Sequence, residues 1–321
     1  AGCRTMTEEK TAQPTEQERQ ENRQRQAERK ALAKRAEDAV EQTGFSLGRE
    51  YANVLRDKHW QRWLKYLKGE GKKPNWPPEA KAIADIKNWT EKIEAAETWP
   101  KPGTFLIPRA DKPPVIDGKI DEGEWESAYV HQEIYPFNST EQAGPETTWR
   151  IMWDKQNLYF AFECVDVDVV SPERERDGNV FQDDCVEMFI LPNRRFRTYW
   201  ELVIGPDGSI FDAIHCKQLD KLGAAADVDA DMQGLQTAQS VNGTLNQPDD
   251  KDQGYTVEVA VPFSDLPGYT RKPPKPGDTL HLMLVRLDKS NDEFKTYAFR
   301  PLQFWGHNIW NHATIKLVPK E

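Results

Sequence analysis

The stretch that decides the fold is DGNVFQDDCVEMFILPN, residues 177–193. It begins as a polar loop that contains a glycine and the adjacent carboxylates Asp183 and Asp184. The loop then becomes a run whose alternate residues are Val186, Met188 and Ile190 on one side and Cys185, Glu187 and Phe189 on the other. This period of two predicts a strand with at least one buried face, and acidic groups gather where the strand begins.

Similar strands recur on both sides of this stretch. Short apolar runs alternate with turns built from Gly, Pro, Asn and Asp. The predicted strands lie at about 102–108, 147–153, 157–165, 184–191, 198–204, 209–214, 255–262, 279–287, 295–300 and 313–318. Many short strands with turns of this kind predict a mainly β protein in which the strands form a sandwich.

The chain before the strands is predicted to contain two to three helices. Residues 16–30 are almost all Glu, Gln and Arg, which favour a helix but supply no core. Further helices are expected over about 46–68 and after Pro78, each with tryptophans that we interpret as the core of a helical hairpin. The predicted domains are a polar tether or helix at 1–43, the hairpin at 44–100, a proline-rich linker at 101–114 and the sandwich at 115–321.

Charge and motifs exclude several classes of function. Of the 321 residues, the first hundred carry 20 Lys/Arg against 17 Asp/Glu, whereas the remainder carries 23 against 36. An acidic sandwich argues against a nucleic-acid partner, and no apolar run approaches the roughly 18 residues of a membrane span. Nucleophile-elbow, zincin and phosphate-loop motifs are absent, and adjacent carboxylates do not suit glycoside cleavage, which needs one on each side of the bond. We therefore expect that the protein is not an enzyme.

Four segments together resemble a known family. They are PVIDGKIDEGEW at 114–125, MWDKQNLYF at 152–160, DCVEMF at 184–189 and GYTVEVAVP at 254–262. In this order they are similar to the family 9 carbohydrate-binding module, and the similarity covers residues from about 105 to 318. The resemblance implies a jelly-roll-like antiparallel β-sandwich that is non-catalytic, holds structural Ca²⁺ and grips sugar ends between aromatic rings.

The resemblance also implies a sugar site. Its two aromatic platforms correspond to Phe181, where the family usually has tryptophan, and to Trp305, with Trp310 close by. Polar contacts to the sugar are expected from Gln182, Arg286, His307, Asn308 and Asn311. Glu201 stands where the family has an arginine that contacts sugar, which puts the affinity in doubt. The alternative for both platform rings is packing in the core.

Oxygen donors and histidines are the candidate metal ligands. Hard oxygen donors on loops suit Ca²⁺. The carboxylates expected to bind it are Asp166, Asp168, Asp183 and Asp184, and the alternative is an acidic rim without metal. We interpret His131, His215, His281 and His312, which are scattered among predicted strands, as structural histidines rather than ligands.

The beginning of the sequence resembles the end of a bacterial lipoprotein signal, because Ala1-Gly2-Cys3 precedes a polar tail. This predicts acylation of Cys3 and a location in the bacterial envelope, lipid-anchored in the outer membrane or at the cell surface, or else secretion. The alternative is an ordinary cysteine near the first residue. The rival function is a structural subunit of a cell-surface or periplasmic assembly that binds a protein partner through residues 1–100.

Overall fold

The computed structural model describes residues 15–43, 48–120, 123–217, 224–269, 273–290, 293–303 and 305–320. The predicted acylation site, Cys3, lies outside these ranges. Within them, every helix is either too short or too polar to cross a bilayer.

Four helices precede the strands in the described part of the chain. They are α1 (Glu16–Gln42), α2 (Arg49–Arg56), α3 (Lys58–Lys68) and α4 (Glu79–Glu97). A capping box starts α1, since the Thr15 hydroxyl accepts from the Glu18 amide while the Glu18 carboxylate accepts from the Thr15 amide. The helix predicted over 46–68 is divided because Asp57 is extended and its side chain caps α3 through the His59 amide, 2.7 Å away. This break gives four helices instead of two to three.

The helices share a small core of their own. Its fully buried members include Trp63 and Leu64 of α3, and the rings of Trp60 and Trp89 meet edge to face at 4.5 Å. Alanines on one side of α1 lie in the same core, so α1 packs against α3 and α4. The tryptophans at these positions pack within the helical segment, as their spacing predicted.

The strands begin within the predicted linker. In chain order they are β1 (Thr104–Pro108), β2 (Tyr129–His131), β3 (Tyr135–Pro136), β4 (Thr147–Trp153), β5 (Asn157–Val165), β6 (Cys185–Leu191), β7 (Thr198–Ile204), β8 (Ile210–Lys217), β9 (Ala224–Asp227), β10 (Gln236–Asn242), β11 (Gly254–Pro262), β12 (Thr279–Ser290), β13 (Glu293–Ala298) and β14 (Ala313–Val318).

Two sheets form a sandwich, which confirms the predicted fold class. Among the described residues, the larger sheet has nine strands, with the order β1-β14-β12-β6-β7-β8-β9 and with β13 and β3 continuing from β12. The smaller sheet has the order β10-β11-β5-β4-β2. The pairings are antiparallel except for β1 with β14. The stretch 177–193 supplies β6, a fully buried strand in the middle of the larger sheet.

The register of β6 separates two faces of the larger sheet. Val186 lies opposite Arg286 of β12, and Arg286 reaches Thr147 and the Val165 carbonyl on the smaller sheet. This face is therefore the inner one. Phe189 lies opposite Glu201 of β7, so these two side chains project from the outer face.

A buried carboxylate joins two of the four motif segments. Glu258 of β11 has no exposed surface and accepts from the indole nitrogen of Trp125 at 2.7 Å. It also accepts from the backbone amides of Asp117 and Gly118 at 3.0 and 2.7 Å. Asp117, Gly118 and Trp125 are thereby fixed over the outer face of the smaller sheet.

The helical segment docks on the sandwich through residues 300–310. The guanidinium of Arg49 lies 5.2 Å from the ring centroid of Trp310. The Trp99 indole donates to the Pro301 carbonyl at 3.3 Å, and Arg300 donates to the Pro100 carbonyl at 3.1 Å. The segment that carries Trp305 thus has the helices on one side.

Candidate functional site

A cleft of about 620 Å³ opens at the outer face of the larger sheet. Its lining is mostly aromatic, with a few charged groups. The lining residues are Phe181, Gln182, Glu187, Glu201, Phe211, Lys289, Phe294, Trp305 and His307. The two rings that the sequence nominated as platforms, Phe181 and Trp305, therefore line one cleft although 124 positions separate them in the sequence.

Phe181 is presented by a short turn before β6. A 3₁₀ turn, Val180–Gln182, buries Val180 and leaves Phe181 half-buried and Gln182 exposed. The Phe181 ring meets Phe211 of β8 edge to face, with centroids 5.6 Å apart. This contact packs the Phe181 ring, which lines the cleft, against the larger sheet.

Trp305 is held in a backbone conformation that is unusual for its residue type. Its φ is 74°, in the left-handed region that a bulky residue rarely enters. Its ring packs edge to face on Phe137 at 5.4 Å. The next residue, Gly306, touches the Phe189 ring so closely that a Cβ there would overlap it. Such local strain is most often found at functional sites.

Arg286 does not line the cleft, contrary to the expectation that it contacts sugar. The side chain is fully buried on the inner face and pairs with Asp166 at 2.8 Å and Asp288 at 3.1 Å. Alternation along β12 explains the error, since Arg286 projects from the face opposite to that of Glu187 and Glu201.

Asn308 and Trp310 are also outside the cleft lining. The side-chain oxygen of Asn308 accepts from the Trp310 amide at 3.2 Å, and Asn308 is buried. Trp310 is buried beneath Arg49, at the contact with the helices. Gln182 and His307 are the predicted polar contacts that line the cleft.

The four predicted Ca²⁺ ligands do not form one group. Asp183 pairs with Arg174 and, at 2.9 Å, with the Lys289 ammonium. Asp168 is half-buried, and its amide donates to Asp166 at 3.1 Å. Carboxylate oxygens of Asp166 and Asp184 do meet, within 4.8 Å of each other and of Asp288, which the sequence did not nominate.

The environment of Asp184 is strongly perturbed. Burial, and next the charge of Asp166, raise the pKa of Asp184 to about 8. The Val170 and Lys289 amides each donate to its carboxylate at 2.6 Å and oppose the rise. Arg286 compensates part of the negative charge from the inner side, through Asp166 and Asp288.

A second group of titratable side chains, Glu201, His215 and His307, lies at the outer face and is called the cleft floor here; Glu201 and His307 line the cleft. The Nε2 atom of His215 on β8 lies 2.5 Å from Oε2 of Glu201, and Nε2 of His307 lies 3.7 Å from Oε1 of the same carboxylate. The ring of Tyr199 stacks on His215 with centroids 5.2 Å apart, and its hydroxyl is 2.9 Å from Nδ1 of His307. These contacts place His215 in a polar group on the outer face, and its interpretation as a structural histidine stays a prediction.

The two carboxylates at this floor differ in their electrostatics. Burial, followed by the charge of the adjacent Glu201, raises the pKa of Glu187 well above its usual range. Burial also acts to raise the pKa of Glu201, but His215 and the charge of His307 outweigh it, so that pKa is lowered. Little in the sequence indicated this group. Its members are single residues on β6, β7, β8 and a loop, and the sequence does not reveal the register between these strands.

The other predicted structural histidines fit that interpretation. Nε2 of His131 lies 2.5 Å from the Phe299 carbonyl, and Nε2 of His312 lies 2.7 Å from that of Gly306. Nδ1 of His281 is 3.3 Å from the Thr314 hydroxyl. Each of these three rings forms a polar contact with a neighbouring backbone carbonyl or with a hydroxyl on the adjacent strand.

Comparison with known proteins adds a family and a fold. A family model described as carbohydrate family 9 binding domain-like matches residues 116–311, more than half of the chain. None of the curated proteins matches the chain.

Three solved structures are similar in fold. A protein from Bacteroides uniformis ATCC 8492 that has been proposed to bind carbohydrate has a TM-score of 0.52 at 12% identity, covering 67% of this chain and 99% of its own. A family 9 carbohydrate-binding module from Caldicellulosiruptor kristjanssonii in complex with cellotriose has a TM-score of 0.46 at 17% identity and covers 68% and 95%. The same kind of module from that organism in complex with glucose has a TM-score of 0.45 at 16% identity and covers 68% and 97%.

Proposed function

Because the chain belongs to the carbohydrate family 9 binding domain-like family, we propose that its sandwich binds carbohydrate without cleaving it, at the cleft lined by Phe181 and Trp305. One observation carries this proposal: the two aromatic residues that the motif order nominates line the same solvent-accessible cleft. Both rings pack against the core on one side, yet both are only partly buried and border the cleft.

The lining of the cleft suits a sugar. The C–H faces of a pyranose ring are apolar and stack on aromatic rings, while hydroxyls need planar or charged polar groups at the edge. Phe181 and Trp305 supply the rings, and Gln182, Lys289 and Glu201 supply donors and acceptors. A volume of about 620 Å³ is within the roughly 300–1,000 Å³ of small-molecule sites, which favours a short ligand such as a chain end.

Calorimetry with a sugar panel tests the proposal. Glucose, cellobiose and other short glycans are titrated into the full chain and into the variants Phe181→Ala and Trp305→Ala. We expect each variant to bind at least about tenfold more weakly, as for an aromatic residue at the centre of a binding site. Trp76→Ala is the matched control, since Trp76 is 67% exposed and lies in the helical segment.

The absence of heat with every glycan would refute sugar binding. It would favour the rival function of a structural subunit whose partner contacts the helical segment. The predicted lipid anchor at Cys3 is not part of this test and stays a prediction.

We further propose that Asp166, Asp184 and Asp288 bind a structural Ca²⁺. The donors are all carboxylate oxygens, the type that Ca²⁺ prefers, and three carboxylates outnumber the single guanidinium of Arg286. Bound there, the ion would stiffen the loops on either side of β6. We expect Ca²⁺ to raise the melting temperature of the wild type and to have no effect on Asp288→Asn. Equal melting temperatures with Ca²⁺ and with chelator would exclude the site.

A further inference from the structure

A mixed group of two imidazoles and a carboxylate at the cleft floor has the composition of a metal site. Glu201, His215 and His307 each offer one ligand atom, and these atoms all lie within 4.8 Å of one another. They come from β7, from β8 and from the loop before β14, so the fold, and not a local sequence motif, brings them together. We propose that these three side chains bind one divalent transition-metal ion, with Zn²⁺ the best fit.

The separations suit a single ion. A Zn²⁺ ion binds imidazole nitrogen at about 2.0–2.1 Å and carboxylate oxygen at about 2.0–2.2 Å, so tetrahedral ligand atoms lie roughly 3.3 Å apart. The two distances from Glu201 to the histidines, 2.5 and 3.7 Å, lie on either side of that value. His215 Nε2 and the Glu201 carboxylate are already in contact, at 2.5 Å. A small rotation of the Glu201 carboxylate would let both atoms face one ion.

A neighbouring side chain orients the proposed ligands, as is common in metal-binding proteins. A ligating histidine usually has its second ring nitrogen hydrogen-bonded, which fixes the tautomer and the ring plane. The Tyr199 hydroxyl lies 2.9 Å from Nδ1 of His307, which leaves Nε2 to face Glu201. The same tyrosine ring is nearly parallel to His215, at an interplanar angle of 10°. One side chain thus orients both imidazoles.

The charge at this site favours a cation. Glu187 is 1% exposed, lines the same cleft and has a buried oxygen, Oε2, without a hydrogen-bond partner. Within the described ranges, no lysine or arginine forms an ion pair with Glu187 or Glu201. Within those ranges the Glu201 carboxylate therefore has only histidines as ion-pair partners, and a divalent ion would compensate its charge.

The two other carboxylate clusters among the described residues do contain a guanidinium partner. Arg286 pairs with two members of the group around Asp166, and Arg176 pairs with Asp212 and Asp231 in a third group. In both groups a guanidinium supplies part of the compensating charge, and every ligand atom is a carboxylate oxygen. The group at the cleft floor combines imidazole nitrogen with one carboxylate, the donor set that suits Zn²⁺ rather than Ca²⁺ or Mg²⁺.

The ion would have an open coordination position toward the cleft. Three protein ligands leave a fourth position of a tetrahedral ion for water or another oxygen. Glu201 and His307 both line the cleft, so this position faces the same space that Phe181 and Trp305 border. The metal proposal does not rest on sugar binding, because metal uptake is measured without any sugar.

The test is metal uptake by the full chain without an affinity tag. Protein treated with chelator is dialysed into excess Ca²⁺, which keeps oxygen sites filled, and is titrated with Zn²⁺ by calorimetry and with Co²⁺ by visible absorption. We expect one equivalent of Zn²⁺ and a Co²⁺ spectrum of four-coordinate type. Glu201→Gln and His307→Ala should each weaken Zn²⁺ binding at least about tenfold, and Tyr199→Phe, a positioning variant, about tenfold.

His59→Ala is the matched control, because His59 lies in the helical segment. It should bind Zn²⁺ like the wild type. Melting curves identify any variant that does not fold, in which case His307→Asn takes the place of His307→Ala. The proposal is overturned if the wild type takes up no Zn²⁺, or if Glu201→Gln and the His307 variant bind Zn²⁺ as tightly as the wild type.

Discussion

The left-handed backbone of Trp305 predicts an inverted order of stability between two substitutions. Trp305→Ala and Trp305→Gly both remove the ring and its edge contact with Phe137. They differ only in what the backbone prefers, since φ is 74° at this position. We expect the glycine variant to be the more stable of the two.

The magnitude follows from two opposing terms. The left-handed backbone conformation destabilises the folded state by roughly 1–2 kcal/mol for a non-glycine residue, and glycine avoids this cost. Glycine in turn loses roughly 0.5–1 kcal/mol more backbone entropy on folding than alanine does. The net difference in the free energy of unfolding is about 1 kcal/mol in favour of Trp305→Gly. The lost ring contact, about 0.5–1.5 kcal/mol, is common to both variants and cancels.

Urea unfolding of the two variants measures this difference. Phe181 is the matched control, because it lines the same cleft but has no positive φ. There the usual order should hold, with Phe181→Ala more stable than Phe181→Gly by roughly 0.5–1 kcal/mol. If Trp305→Ala equalled or exceeded Trp305→Gly in stability, the assigned backbone strain would be wrong. Both Trp305 variants should lose sugar affinity to the same extent.

Three further changes have definite expected outcomes. Burial lowers the pKa of His312 from 6.5 to about 3, so below pH 6.5 the unfolded chain takes up a proton that the folded chain does not. As the pH is lowered to 5, the free energy of unfolding should therefore decrease by about 2 kcal/mol from this group alone. Urea unfolding of His312→Gln measures this, and the same pH dependence as in the wild type would contradict it. Arg286→Met should lower the free energy of unfolding by about 3–5 kcal/mol, since it leaves buried carboxylates without their cation. The sugar affinity of the folded protein should not change. A loss of affinity without a loss of stability would place Arg286 in the site after all. Gly306→Ala should displace Trp305 and His307 together, because the added Cβ overlaps Phe189. Both the sugar affinity and the Zn²⁺ affinity of the variant should therefore fall. A variant that binds sugar and Zn²⁺ as tightly as the wild type would contradict that packing.

Periodicity and motif order were sufficient to predict the fold class and the two rings of the cleft. Alternation identified β6, and the order of four segments placed Phe181 and Trp305 at equivalent points of the family pattern. Neither inference needed the register between strands. The helix over 46–68 was divided by a backbone cap at Asp57, a local effect that helical spacing does not reveal.

The polar part of the site depended on information that the sequence did not give. Arg286 and Glu201 both occur on strands with strict alternation, but the face that each occupies follows from pairing across β12, β6 and β7. A shift of one residue in register would exchange the two faces. The sequence therefore nominated Arg286, which lies inside, and did not nominate His215, which lies on the outer face beside Glu201.

The segment 299–312 connects the helices to the cleft. On one side, Arg49 lies over Trp310, and Trp99 donates to Pro301. On the other side, His312 is 2.7 Å from the Gly306 carbonyl, and Gly306 packs on Phe189 of the larger sheet. Because the segment is held from both sides, Trp305 can keep a strained backbone that a free loop would relax. The helical segment thus contacts the same segment that carries Trp305, the second ring of the cleft.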